Sequence, residues 1–437
     1  MSAPGNLVPA RAARTPRART RCPRGRGPGE RQPHDAAGPP LGARRLPSES
    51  EVRRLFEARL TDVAANRLAR RWCELYQSAD GKERRLMLAA VAQVRGSYAA
   101  EGSEGARFFK RFNALPQGLG FLVALRADML RWRKQVSGLQ VLDKDLEGLL
   151  SAWFDVGLLE LRRLTWDSPA SLLEKLILYE AVHEIKSWDD LRHRVAPDRR
   201  CYAYFHPQMP DVPLIFVEVA FAGQMADNVQ ALLDSEAPPQ NLDKARWAIF
   251  YSISNTQAGL KGISFGNFLL KRVVEQLLEE LPKLKSFATL SPMPGFAEWL
   301  GKLGAGADVE AIVRDDKARA RSAAPEGARW VEAPGPTPAR PGQGRSEVLQ
   351  RAAFRLASHY LQSMKNGMPV DPVARFHLGN GARIERLNWA ADTSPKGLRQ
   401  SCGLMVNYLY DLDELDDNLA RLGEGKPAVS RGVARVG

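Results

Sequence analysis

The sequence predicts an α + α/β protein in which an N-terminal helical bundle precedes a domain built around one sheet. Residues 47–160 repeat apolar side chains at the three- and four-residue spacing typical of helices. Beyond residue 160, short runs rich in β-branched and aromatic residues indicate strands. The length of 437 residues also exceeds what one hydrophobic core usually serves, which favours two domains.

Segments with little to bury flank and interrupt these domains. Residues 1–46 are rich in Arg, Pro and Gly, and residues 305–345 are rich in Ala, Pro, Gly and Arg. Such composition predicts disorder. The expected organisation is a disordered tail over 1–46, a helical bundle over 47–160, a second domain over 161–425 with a flexible insertion at 305–345, and a disordered tail over 426–437.

The net charge of +13 is unevenly distributed. Residues 1–45 hold ten arginines against Glu30 and Asp35, so this segment carries +8 and leaves +5 for the remaining chain. The folded part is therefore only mildly basic, which argues against nucleic acid as its main partner. We interpret the tail as a solvated segment or an upstream-extended start of translation. A nucleic-acid arm or a targeting peptide is the alternative, although the prolines interrupt the amphipathic helix of a transit peptide.

Composition and spacing exclude several classes of protein. No run approaches the roughly 20 consecutive apolar residues of a membrane helix, and the N-terminus lacks the apolar core of a secretory signal. We therefore expect a cytoplasmic protein. The four cysteines are far apart and form no C-x-x-C pair, which suits a reduced compartment. The six histidines show no H-E-x-x-H spacing, so we expect no metal site.

The predicted bundle consists of several amphipathic helices on short connections. Val52, Leu55, Phe56 and Leu60 follow the spacing of one helix face. The same signal recurs over residues 86–94, 120–132 and 139–154. Because this region contains no chemical motif, we assign it to packing or subunit assembly.

The second domain begins with strand-like runs at residues 201–205, 214–221, 248–254 and 286–290. A strongly amphipathic helix is predicted between the last two runs, over 267–281. The order is therefore strand, glycine turn, helix, strand. A further helix is expected from about 346 to 364, after the insertion.

The glycine turn is the first segment that suggests chemistry. It reads GlyLeuLysGlyIleSerPheGlyAsnPheLeuLeuLys over residues 259–271. A turn that opens a helix presents unpaired N–H groups and the positive end of the helix dipole, which suit a phosphate. Gly262 and Gly266 allow close approach of the backbone to a ligand, and Lys261 and Lys271 add positive charge. A turn of this kind also occurs as a plain connection.

Two further segments contain candidate reactive groups. Ser291 lies in LeuSerProMetProGlyPhe (290–296), where it is either a helix N-cap before a proline or a hydroxyl held beside a ligand. His377 lies in PheHisLeuGlyAsnGlyAla (376–382), next to a turn-forming GlyAsnGly. A lone histidine is often structural, but histidine is also the side chain most easily poised to exchange a proton near neutral pH.

Together these segments resemble the malonyl-CoA decarboxylase family. The resemblance runs in order from about residue 50 to residue 422. The matching segments also include ThrTrpAspSerPro (165–169), GluAlaValHis (180–183), ArgArgCysTyr (199–202), PheTyrSerIleSer (250–254) and SerCysGlyLeuMetValAsnTyr (401–408). Ordered matches over such a length are more specific than any single motif.

The resemblance implies an N-terminal helical domain that mediates oligomer contacts and a C-terminal catalytic domain similar to the Gcn5-related acetyltransferases. In that fold the pyrophosphate of coenzyme A lies on the turn after the fourth strand. The residues thereby implied to bind coenzyme A are Lys261, Gly262, Ile263, Ser264, Phe265, Gly266 and Asn267. Well-studied relatives carry an acidic residue at the position of Ser264, so no acidic contribution is expected from this turn.

The same resemblance implies that Ser291 and His377 are catalytic and that Ser252 and Tyr410 match positions that support the active site. We add Asn380, which belongs to the histidine motif. The implied reaction is decarboxylation of malonyl-CoA to acetyl-CoA and CO₂. We expect no metal and no cofactor, because the thioester accepts the electrons itself, and we expect a homo-oligomer, either a dimer or a tetramer.

Two other functions compete with this one. The nearest is a coenzyme A-dependent N-acyltransferase that uses the same fold to pass an acyl group to an amine. The other, from a different class, is a nucleic-acid-binding or scaffold protein that uses the Arg-rich tail. The pathway served also stays open between malonate utilisation and control of malonyl-CoA supply for fatty-acid synthesis.

Overall fold

The computed structural model describes residues 46–99, 102–263, 265, 269–303 and 343–436. The predicted tail over 1–46 lies outside the described residues except for Leu46. The predicted insertion over 305–345 also lies outside them, except that residues 343–345 begin a helix. That helix therefore starts a little earlier than the expected residue 346.

The helical region contains six α-helices among its described residues. They are α1 (Glu49–Glu57), α2 (Val63–Ser78), α3 (Gly81–Gly96), α4 (Glu104–Asn113), α5 (Gly118–Trp132) and α6 (Leu139–Trp153). Short polar side chains begin several of them: Ser48 forms a capping box with Glu51, and Asp80 forms one with Glu83. The predicted bundle is therefore present.

The centre of the helical region is aromatic. Trp72 stacks on Tyr76 at 5.1 Å between ring centroids and meets Phe112 and Phe121 edge-on. One predicted core residue is misplaced, since α1 ends at Glu57 and leaves Leu60 45% exposed. The apolar spacing continued past the end of the helix, where Ala58 is already extended.

The second domain is built on one mixed sheet. Its strands are β1 (Glu160–Leu164), β2 (Arg199–His206), β3 (Met209–Ala222), β4 (Trp247–Asn255), β5 (Ser286–Thr289), β6 (Ser291–Pro292), β9 (Arg383–Asn388) and β10 (Met405–Tyr410), while β7 (Met364–Lys365) and β8 (Met368–Pro369) form a separate hairpin. The order is β1-β2-β3-β4-β5-β10-β6, with β9 also paired to β10. Among the strands of the described residues, β4 and β5 are the one pair that runs in parallel. The four predicted strands correspond to β2, β3, β4 and β5, whereas β1, β9 and β10 were not predicted.

Helices cover the sheet and connect its strands. They are α7 (Ala170–Tyr179), α8 (Trp188–Arg194), α9 (Val229–Leu233), α10 (Leu269–Glu280), α11 (Phe296–Leu303), α12 (Gln343–Gln362), α13 (Pro372–Gly379), α14 (Pro395–Ser401), α15 (Leu415–Gly423) and α16 (Arg431–Val436). The described part of the predicted helix over 267–281 is α10. One hydrophobic cluster continues from the helical region into one face of the sheet, so the two parts share a core.

Strands β4 and β5 separate partway along their length. They pair from Trp247 with Ser286 to Phe250 with Thr289, and the Leu290 N–H donates to the Phe250 carbonyl at 3.0 Å. Beyond this point β4 continues beside β3, while β6 pairs with β10 instead. A register shift of β4 against β3 occurs at the same level, as expected of a β-bulge. The separation leaves the ends of two parallel strands, and the segments that follow them, free to form a site.

The C-terminal segment corrects a prediction. Residues 426–437 were expected to be disordered, but Ser430 donates its N–H to the Ile384 carbonyl at 2.8 Å, and α16 follows. Val433 is only 3% exposed. The expectation fails because Ala428 and Val433 are buried against the sheet domain, which a short composition-based window does not reveal.

Membrane-spanning helices and clusters of metal ligands are both absent from the described residues. None of their helices is long and apolar enough to span a membrane. Within the same residues, His, Cys, Asp and Glu side chains form no group of three able to hold a metal ion.

Candidate functional site

The structure brings Ser291 and His377 together although 86 residues separate them. The Ser291 Oγ and the His377 Nε2 lie 3.1 Å apart. Ser291 is 6% exposed and His377 is 3% exposed. Ser291 opens β6, and the next helix starts only at Phe296. The alternative interpretation of Ser291 as a helix N-cap is therefore wrong.

Helix α13 positions the imidazole. Asp371 caps its first turn by accepting from the Val373 and Ala374 N–H groups, and His377 lies in its last turn. Asn380 closes the helix, since its Nδ2 donates to the Phe376 carbonyl at 2.7 Å. Asn380 therefore caps the helix that carries His377, and the predicted turn after His377 is present.

The hydrogen bonds at the pair have a direction. The Ser291 Oγ donates to the Thr289 Oγ1 at 2.9 Å, which uses the only hydrogen of that hydroxyl. The 3.1 Å contact with His377 then needs an N–H at Nε2 as donor. A neutral imidazole with hydrogen at Nε2 accepts at Nδ1, where the Tyr410 hydroxyl lies 2.8 Å away. The geometry thus assigns one chain of donors from Tyr410 through His377 and Ser291 to Thr289.

Burial keeps this chain uncharged. The imidazole of His377 stacks on Tyr408 at 4.5 Å between ring centroids, and burial lowers the His377 pKa to about 3. Burial also raises the pKa of Tyr410 well above its ordinary range. At neutral pH the site therefore presents neutral hydrogen-bond donors and acceptors in a dry environment.

Acid should destabilise the fold through its buried imidazoles. Burial lowers the pKa of His377 to about 3 and that of His183 to about 4, below the ordinary value of about 6.5. The unfolded chain takes up these protons first, so stability is lost as the pH falls from about 6.5 toward the folded-state values. Between about pH 7 and pH 5, the wild type should lose about 2 kcal/mol more unfolding free energy than His377→Gln. Urea unfolding measures this, and equal losses would contradict the burial of a neutral His377.

The hydrogen-bond partner of Ser252 is the Glu180 carboxylate. Its Oγ lies within hydrogen-bond distance of both carboxylate oxygens of Glu180, at 2.7 and 2.8 Å, and the Ser254 Oγ donates to the same carboxylate at 3.0 Å. Glu180 also accepts from the N–H groups of Val182 and His183. Ser252 is thus held at the level where β4 leaves β5, by a carboxylate and not by the Ser291–His377 pair.

Two residues of this region were missed by the sequence analysis, namely Glu180 and Thr289. A signal existed for Glu180, because GluAlaValHis (180–183) is among the segments that carry the family resemblance. Thr289 adjoins the serine motif, but its role depends on β5 and β10, since it also accepts from the Tyr408 N–H at 3.1 Å.

The predicted coenzyme A turn follows β4. A short 3₁₀ turn (Ala258–Leu260) leads to Lys261 and to Gly262, whose φ of 83° is the left-handed conformation that glycine adopts readily. Ile263 and Phe265 are buried, so their side chains contribute to the core and only their backbone can face a ligand. Ser264, Gly266 and Asn267 lie outside the described residues.

Two family models match this chain. The malonyl-CoA decarboxylase N-terminal domain matches residues 65–154, and the C-terminal domain matches residues 157–436. A curated relative from Mus musculus, malonyl-CoA decarboxylase, mitochondrial, is 38% identical over 360 residues, which cover 77% of this chain and 69% of the relative. The relative of the same name from Rattus norvegicus is 38% identical over 359 residues, with the same coverage.

Solved structures agree with these matches. The crystal structure of malonyl-CoA decarboxylase from Cupriavidus metallidurans is 54% identical with a TM-score of 0.77, and the match covers 89% of this chain and 98% of that one. The structure of the same name from Rhodopseudomonas palustris is 39% identical with a TM-score of 0.76, covering 89% and 99%. The expected order of a helical region and a mixed-sheet domain is confirmed. This chain belongs to the malonyl-CoA decarboxylase family.

Proposed function

We propose that this protein is a carboxy-lyase that converts malonyl-CoA to acetyl-CoA and CO₂, with Ser291 and His377 as its catalytic pair. One structural observation supports the proposal in addition to family membership. The pair forms part of a buried, neutral chain of hydrogen bonds, and Ser291 directly follows the point where β5 leaves β4.

The chemistry explains why such a chain is useful. Breaking the bond to the carboxylate leaves its electron pair on the thioester enolate, and the α-carbon must then receive one proton. Each hydrogen-bond donor aimed at the enolate oxygen in a site without water stabilises the transition state by about 3 to 4 kcal/mol. The thioester carbonyl accepts the electrons itself, so we expect no metal or organic cofactor to be needed.

The residues divide this work according to their hydrogen bonds. The Nε2–H of neutral His377 donates to Ser291 in the free protein and can donate instead to an oxygen of the substrate. The hydroxyl of Ser291 orients the malonyl group so that the breaking bond overlaps the carbonyl π system. Tyr410 donates to Nδ1 and so keeps the hydrogen of the imidazole at Nε2.

Coenzyme A is anchored at the turn after β4 in this proposal. Lys261 is exposed and cationic, and Gly262 gives the backbone a conformation that allows close approach of an anion. Residues 261–267 would hold the pyrophosphate at a distance from the reacting thioester. Binding of the pyrophosphate, which does not take part in the reaction, thereby positions the thioester.

We further propose a cytoplasmic homo-oligomer, a dimer or a tetramer, assembled through the helical region. Exposed apolar side chains on that region support this, among them Leu60, Val63 and Leu86. The curated relatives from mouse and rat carry "mitochondrial" in their names, so cell fractionation is the appropriate test of location. Sedimentation of the purified protein tests the oligomeric state.

The test of the reaction uses purified protein with malonyl-CoA as the only substrate. We expect acetyl-CoA and CO₂ in equal amounts, and one deuterium in the acetyl methyl group when the reaction is run in D₂O. A protein that leaves malonyl-CoA intact until an amine is added would instead be an N-acyltransferase. Mass spectrometry of the thioester and release of labelled CO₂ distinguish the two results.

A further inference from the structure

A buried arginine of the helical region holds the turn that follows β4. Arg126 lies in α5 and is only 2% exposed. Its Nη1 donates to the carbonyl oxygens of Gly259 and Lys261, each at 2.9 Å. Both oxygens are therefore directed toward the helical region.

The guanidinium of Arg126 is itself fixed by α6. Its Nε donates to the Asp143 Oδ1 at 2.8 Å, and its Nη2 lies 3.6 Å from the Glu147 carboxylate. These carboxylates compensate the buried positive charge, which would otherwise be costly. Arg126 thus acts as a rigid connection between two helices and the turn.

The turn also lies directly against the backbone of α5. A Cβ at Gly259 would come within 1.8 Å of the Val123 carbonyl oxygen. Only glycine allows an approach this close, so the turn packs directly against the backbone of α5. The helical region therefore determines where the turn lies.

The orientation imposed by Arg126 has a chemical consequence. A trans peptide directs its N–H opposite to its carbonyl, so the Gly262 N–H points away from Arg126. The neighbouring N–H groups of Leu260, Lys261 and Ile263 donate to carbonyls within the turn, but the Gly262 N–H has no hydrogen-bond acceptor among the described residues. It is available to a ligand on the face opposite the helical region.

We propose that Arg126 is a positioning residue for coenzyme A: by holding the Gly259 and Lys261 carbonyls, it presents the Gly262 N–H to the pyrophosphate. The helical region is then part of the substrate-binding machinery and not only a packing or assembly domain. This inference rests on the proposed function, because it takes the turn after β4 as the place where coenzyme A binds.

The test compares Arg126→Lys with Arg111→Lys. Arg111 is a matched control, because it is also buried in the helical region and binds backbone carbonyls, those of Leu55, Ala58 and Arg59, far from the turn. The guanidinium binds the two carbonyls through one nitrogen and the Asp143 carboxylate through another, and the single ammonium nitrogen of lysine cannot hold both sets of partners in this geometry. We expect Arg126→Lys to raise KM for malonyl-CoA roughly tenfold while kcat stays within about twofold. In Arg111→Lys, KM should be unchanged even if thermal stability falls.

Two direct measurements separate this inference from the proposed reaction. Calorimetry with free coenzyme A should show the same loss of affinity in Arg126→Lys, even if the protein fails to decarboxylate malonyl-CoA. Hydrogen exchange of the wild type should show that coenzyme A protects residues 122–130 together with 258–263, a result that needs no variant to fold. An unchanged KM and coenzyme A affinity in folded Arg126→Lys, or protection confined to the turn, would overturn the inference.

Discussion

Replacing His377 with alanine should lower kcat by about 10² to 10³, while KM for malonyl-CoA changes by less than about threefold. His377 supplies the Nε2–H that donates to Ser291. The Tyr410 hydroxyl contacts the opposite imidazole nitrogen, Nδ1, so it cannot replace that N–H. The loss therefore falls on the transition state, where charge develops on the thioester oxygen. Steady-state kinetics with calorimetric measurement of coenzyme A affinity separates this effect from a loss of binding.

His359→Ala is a suitable control for this experiment, because His359 is exposed and lies on α12, outside the donor chain. It should retain wild-type kinetics. His377→Ala with wild-type turnover would remove the imidazole from the mechanism. A variant that loses affinity for coenzyme A to the same degree as turnover would assign His377 to binding.

Replacing Ser291 with alanine should lower kcat by about 10². The change removes the hydroxyl that accepts from His377 and donates to Thr289, so both the orientation of the substrate and that of the imidazole suffer. Because the proposed mechanism uses the two hydrogen-bonded residues as one unit, Ser291→Ala combined with His377→Ala should be little slower than His377→Ala alone. Additive losses in the double variant would contradict a shared role.

Thr289→Val extends the same experiment. Valine keeps the size of the threonine side chain but lacks the acceptor that directs the Ser291 hydroxyl, so kcat should fall by about tenfold. Ser358→Ala provides a control, since Ser358 is a buried serine on α12 that donates to the Val433 carbonyl and forms no hydrogen bond with the donor chain. A wild-type rate in Thr289→Val would show that the direction of the Ser291 hydroxyl does not matter for turnover.

Local sequence patterns predicted several elements of the sheet domain, although β10 and α13, which carry Tyr410 and His377, were not among them. Runs of β-branched and aromatic residues predicted β2 to β5, and the apolar period of 3.6 predicted α10, because each pattern reports which face of one element is buried. The glycine turn and the motifs around Ser291 and His377 could likewise be found along the chain. These features depend on residues that are close in sequence.

Patterns of this kind failed where a partner comes from a distant segment. Val433 lies on α16, which packs against α12 and β9, and folding brings these elements together from separate parts of the sequence. A short polar C-terminal segment was therefore mistaken for a disordered tail. The bond between Glu180 and Ser252 spans 72 residues, and the bonds from Arg126 to the turn span more than 130. No local window contains both partners of such a contact.

The sequence by itself determined the order of helical region and sheet domain and the family, and it predicted Ser291 and His377 as candidate site residues. Tertiary structure alone decided that the two residues meet, which of them donates to the other, and that a helical arginine orients the turn. The physical reason is that hydrophobic spacing acts within one element. Hydrogen-bond direction, in contrast, is set by the positions of atoms that only packing brings together.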